Sequence, residues 1–229
     1  MKLLAACALL VATTYANPIP SVSDLTNLNQ TMTLEKFNQI CTIMKEMFVS
    51  KGYFPAWAVD PICSLDDETK NALVKFTNDF HAGKLPKPTS NDELVKMMTE
   101  ATQKGGDVVK SIRDTFYAKR DTLPQRLIDL QKKWEKISFA SADADRLTWC
   151  TNLAAHAKEY VKDIDSLTES EWAAIDKVFP EFVKMHKSDA AVLFRNLIKD
   201  MKDEDLANKE KVKNLMQMTA GSFIGKTAA

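Results

Sequence analysis

Glycine is scarce in this chain, at six in 229 residues, and no alternation of apolar and polar residues runs long enough for a strand. The first shortage argues against the turn-rich β-sandwiches and barrels. It also leaves no glycine loop to cradle a phosphate. Only three histidines are present, and neither an HExxH helix nor a GxSxG elbow occurs. Charge of one sign is missing too, since 31 Lys and Arg balance 31 Asp and Glu. A nucleic-acid binder carries a basic excess or stripe. Only KLPKP and LQKKWEK approach one, and such short runs read as solvated helix faces. No nucleic acid is expected as a partner. No repeat of solenoid period is present.

Long apolar runs are confined to the N-terminus. MKLLAACALLVATTYA has a lysine, an apolar run and a small residue at Ala16, the layout of a secretory signal peptide. The run is short for a membrane span. Export is expected, with cleavage after Ala16 and a secreted, extracellular product of about 213 residues. A chain of that size buries most of its unfolded surface and folds as one domain without a disulfide framework.

Of four cysteines, Cys7 falls in the leader, leaving Cys41, Cys63 and Cys150. An odd number in an oxidising compartment leaves at least one thiol free or paired with another molecule. Cys41 and Cys63 are the candidate disulfide, since both lie in the N-terminal segment with a tight turn between them. The spacing leaves that pairing open. Cys150, beside Trp149 on an apolar helix face, reads as a small buried hydrophobe. No base is identifiable to make it a nucleophile. Asn29-Gln30-Thr31 is a candidate glycosylation site.

What is present is helical periodicity. Leu34, Phe37, Ile40, Cys41, Met44, Met47 and Phe48 share one face of a helix, expected to end at Lys51-Gly52. YFPAWAVDPICS, with two prolines, reads as a packed turn or a single helical turn. Ser64-Leu-Asp-Asp67 and Ser90-Asn-Asp-Glu93 read as capped helix starts with acids in the first turn. Gly105-Gly106 reads as a break, with Asp107 capping the next helix. Pro124 is expected in the first turn of a helix bearing Leu123, Leu127, Leu130, Trp134 and Ile137. A long helix is expected from about Ser141, carrying Leu147, Cys150, Leu153, Ala157, Tyr160, Val161 and Ile164. Thr168-Glu-Ser-Glu171 forms a capping box, with Leu167 stapled against Trp172. Pro180 separates two helices, and two further segments lie near Ala190–Met201 and Lys209–Met218. The fold class is all-α, a single compact domain of about eight to eleven short helices. The expected organisation is a leader over 1–16, an N-terminal helix and Pro/aromatic turn over 17–63, and a helical domain over 64–229 packed with it.

Catalytic machinery is not visible. His156 and Glu159 lie three apart on one helix face, but zinc needs a third protein ligand at suitable spacing. His81 and His186 have no sequence partner for acid–base work. No haem pocket surrounds His156. No cofactor, no metal and no enzyme activity are expected.

Nine methionines follow Met1. Methionine repacks cheaply, which suits an interior that accepts a guest, although composition alone favours an ordinary core, since apolar stripes are mostly core. SLDDETKNALVKF, TSNDELVKMMTEA, DVVKSIRDTFYAKRDTLPQRLIDLQKKWEKI and LTESEWAAIDKVFPEFVKM, in that order, resemble the nematode fatty-acid- and retinol-binding family. The resemblance runs from Ser64 to Met218, with Leu167-Thr168-Glu169 and Phe179-Pro180 matching its closing pattern. It has two departures: residues 17–63 have no counterpart, and the family is poor in cysteine. It implies an exported carrier that holds fatty acids or retinol in an internal apolar cavity without catalysis, with transient membrane contact during delivery. On that reading Leu73, Phe76, Phe80, Leu94, Met97, Met98, Ile112, Phe116, Leu127 and Leu130 lie nearest the ligand, each being equally a core position. Arg113, Lys119 and Arg126 are the cations available for a carboxylate. The alternative is a secreted helical interaction protein, an antigen or immune-modulating factor, acting through its surface.

Overall fold

The computed structural model describes residues 31–224, so the leader, Asn29 and the last five residues lie outside it. Among the described residues every regular element is helical. Thr33 caps α1 (Leu34–Ile43), its side chain accepting from the Lys36 N–H. The helix widens into a π-helical segment, Met44–Val49, and stops at Gly52, whose φ of +67° suits glycine. The Pro/aromatic stretch is more ordered than its prolines suggest: it forms α2 (Ala56–Cys63), a two-turn helix with Pro61 inside. Proline removes a helical hydrogen bond there. Tertiary ties offset the loss. Val59 packs with Met44 and Phe48, and a Cys41–Cys63 disulfide, with Cα atoms 5.4 Å apart, joins α1 to the end of α2.

Asp66, rather than Ser64, caps α3 (Asp67–His81), accepting from Thr69 N–H at 2.7 Å. Its carboxyl is held far below the usual range, first by Lys104 and then by the Thr69 N–H. Ser90 caps α4 (Asn91–Ala101). The expected break at Gly105-Gly106 falls elsewhere, and Asp107 is not a cap. The chain turns at Thr102, and both glycines sit in the first turn of α5 (Gln103–Arg120). They serve close approach. A Cβ on Gly106 would stand 2.1 Å from Thr99 Oγ1 and 2.5 Å from Thr99 Cα.

Pro124 occupies the cap position of α6 (Gln125–Ala140), not its first turn. The long helix expected from Ser141 is two helices, α7 (Arg146–Ala154), capped by Asp145, and α8 (Ala157–Asp165). The division has a packing reason: α7 lies against the last helix and α8 against α11. α9 (Glu169–Val178) opens with the Thr168/Glu171 capping box, and Pro180 is the first residue of α10 (Pro180–His186). α11 (Asp189–Asp200), a single turn α12 (Asp203–Leu206) and α13 (Lys209–Ile224) complete the chain. Thirteen α-helices are thus described where eight to eleven were expected. The split after Ala154 and the short α12 account for two.

The cores are local. Leu127, Ile164, Leu167, Ile175 and Val183 join α6 to α8–α10, with Trp172 packed against them. Ala157, Val161, Ile198, Leu206 and Leu215 join α8 to α11–α13. Cys150 is buried against Val212. The fourth cluster lies under the disulfide.

Candidate apolar binding site

The ten candidate positions fall on α3, α4, α5 and α6. Leu73, Ile112, Phe116 and Leu127 are buried. Phe76, Phe80, Leu94, Met97, Met98 and Leu130 retain partial solvent access. Phe76 and Phe80 follow Leu73 at three and seven residues, so all three share the inner face of α3. On α4 the buried residue is Val95, which the sequence reading left out, with Leu94 and Met98 beside it. Leu127 and Leu130 meet the α8–α10 cluster. Phe116 lies with its ring centroid 5.2 Å from Phe179. Trp134 meets the Tyr160 edge at 5.1 Å and donates its indole N–H to Asp163 at 3.0 Å. Val95, Phe179 and Tyr160 are therefore neighbours of the site that periodicity within one helix did not select.

Where α4, α5 and α6 meet, polar side chains close on one another. Asn91 donates to the Tyr117 hydroxyl at 2.7 Å and to Glu135, and Tyr117 donates to Glu135 at 2.8 Å. Gln131 donates to the other Glu135 oxygen at 2.9 Å. The buried Arg120 donates to Gln131 at 3.2 Å and lies 4.2 Å over the Tyr117 ring. Burial, followed by the Glu135 hydrogen bond and charge, pushes the Tyr117 phenol up to about 12.

Two of the three cations named for a carboxylate are already engaged. Arg113 pairs with Asp92 and Asp114. Arg126 pairs with Glu171 and donates to Ser166 Oγ at 2.9 Å. Lys119 is half-buried in the last turn of α5.

The histidines stand apart. His81 Nδ1 is 2.7 Å from the Ala144 carbonyl, which only accepts, so Nδ1 carries the proton. Burial lowers its proton affinity. His186 stacks on Trp172 at 4.4 Å and accepts from Arg195 at 3.0 Å. Burial, with Arg195 beside it, brings it down to about 4. His156 lies 3.8 Å from Glu159, half-exposed. No group of three or more potential metal ligands occurs among the described residues.

Fold and site together define an all-helical protein whose central helices present apolar side chains to one another. No helix among the described residues is long and apolar enough to cross a membrane. No family model, curated protein or solved structure matches this chain.

Proposed function

We propose that this protein is a secreted carrier that holds a long-chain apolar ligand, a fatty acid or retinol, non-covalently between α3, α4, α5 and α6. One observation carries the reading. Six large apolar side chains sharing helix faces with buried ones (Phe76, Phe80, Leu94, Met97, Met98 and Leu130) keep partial access to solvent. In a close-packed interior such side chains are shut away. Methionine at Met97 and Met98 lets that wall repack around guests of different shape. The Cys41–Cys63 disulfide supports an oxidising, extracellular setting.

The energetics allow it. About 16 methylenes at ~0.8 kcal/mol each give roughly 13 kcal/mol of gross burial. Immobilisation and polar desolvation reduce that, to micromolar or nanomolar affinity. The first test is native mass spectrometry with organic extraction, which should find or load about one fatty acid or retinol per chain. Saturating oleate should also raise the melting temperature, since a ligand that binds only the folded state stabilises it. An empty protein with unchanged melting in oleate would refute the carrier and favour a surface-acting interaction protein.

A further inference from the structure

Two of the local cores meet along α8. Ile164 belongs to the cluster shared with α9 and α10, whereas Ala157 and Val161 belong to the one shared with α11–α13. Between α10 and α11 the chain has only Lys187 and Ser188, and a polar tie spans that turn. Arg195 of α11 donates from Nη1 to two acceptors of His186, the last residue of α10. One is the backbone carbonyl at 2.8 Å and the other the ring Nδ1 at 3.0 Å. The carbonyl belongs to the last turn of its helix, where no intrahelical donor is left for it. A guanidinium only donates, so Nδ1 carries the lone pair and the ring proton sits on Nε2. Trp172 of α9 holds the ring from one side, stacked at 4.4 Å, with Phe182 at 6.4 Å.

The tie depends on a neutral ring. A proton on Nδ1 takes the lone pair that Arg195 uses and sets two cations against each other. The charges that act on the ring are Arg195 from α11, Asp165 from the end of α8 and Lys187 beside it. Asp165 is itself 2.6 Å from Lys199 of α11, so its carboxylate is already engaged. Burial and then Arg195 keep the ring neutral down to about pH 4. The residue is only half-buried, so protons reach it without unfolding.

We infer that His186 and Arg195 form an acid-released clasp, which holds α11 against the end of α10 while the imidazole is neutral and lets go when it takes a second proton. The inference stands apart from the carrier reading. Release is local, because Ile198 of α11 remains packed in the cluster with Val161 of α8. A protonated ring still gains from the Trp172 face, so the contact that is lost is the one to Arg195. The start of α11, capped by Ser188, is the part set free.

Amide hydrogen exchange of the full-length protein, followed by NMR and corrected for the intrinsic rate, tests this. From about pH 6.5 to about pH 3.5, opening of the first two turns of α11 should increase about tenfold more in the native protein than in His186→Gln. Glutamine keeps an acceptor for Arg195 and cannot titrate, so the variant carries every other effect of acid. Arg195→Met removes the donor and the cation, and should make His186 about tenfold easier to protonate in an NMR titration of the ring. A partner that binds only the neutral form must oppose protonation. An equal acid response of α11 in the native protein and His186→Gln, or an unmoved ring titration in Arg195→Met, overturns the clasp. So does a native ring that titrates at the ordinary histidine value of about 6.5, a result that needs no variant.

Discussion

Two neighbouring positions near the C-terminal end of α6 treat buried polarity in opposite ways. On α6, Glu135 accepts from Asn91, Tyr117 and Gln131. Three residues later Ser138, more deeply buried, has no partner. Their spacing puts the two side chains on neighbouring turns of one face, so local sequence does not separate them. Their surroundings do. Glu135 belongs to a network linking three helices. The Ser138 hydroxyl meets no group of the fold. A satisfied network specifies structure, whereas an unsatisfied one costs stability unless something else fills it.

The largest effect should come from breaking the satisfied network. Glu135→Ala removes the acceptor shared by the Tyr117 hydroxyl, the Asn91 amide and the Gln131 amide. Chemical denaturation should show a loss of about 2 kcal/mol.

Buried titratable groups elsewhere in the fold should answer to opposite ends of the pH scale. Tyr117 is raised from 10.0 to about 12 in the folded protein. A raised acid favours folding while it stays protonated. That stabilisation is complete below pH 10 and is lost as pH climbs through 10 toward 12. His81 is lowered from 6.5, first by burial. The unfolded chain takes up its proton first, so stability falls as pH drops below about 6.5. His186, lowered to about 4, contributes in the same direction. Urea midpoints across pH 5–7 and 9–11.5 measure both arms. Tyr117→Phe should flatten the alkaline arm alone, and His81→Gln should reduce the acid arm alone.

Much of the fold is legible where a side chain caps the helix that it begins. Ser90 and the Thr168/Glu171 box announce α4 and α9, because the sequence pattern and the hydrogen bond are the same local event. Legibility fails where the deciding partner is distant. Gly105-Gly106 reads as a break, but the glycines are required by Thr99 on the preceding helix. YFPAWAVDPICS reads as a packed turn or a single helical turn, but α2 runs for two turns, past Pro61, to a disulfide with α1. One long helix from Ser141 fits the periodicity, and only the separate neighbours of α7 and α8 divide it. The candidate site follows the same rule. Periodicity places Leu73, Phe76 and Phe80 on one face. It does not reveal that Val95 is the buried residue of α4, that Phe179 meets Phe116, or that Arg113 and Arg126 are committed to ion pairs. The unmet donors at Ser138 and Trp149 leave no sequence signal, because an absent partner has no residue type.

The smallest expected effect is the most discriminating, because its sign differs between two buried hydroxyls, one on α6 and one on α7. Thr151 is 8% exposed, and its Oγ1 donates to the Leu147 carbonyl at 2.8 Å. Thr151→Ala removes a satisfied hydroxyl and a methyl group, and should lower stability by about 1 kcal/mol. Ser138→Ala removes a hydroxyl that has only a desolvation cost, and alanine is the better helix former. The ligand-free protein should therefore be more stable by up to about 1 kcal/mol. If Ser138→Ala instead destabilises the ligand-free protein as Thr151→Ala does, the Ser138 hydroxyl is satisfied within the fold. The contrast between the two positions on α6 then disappears.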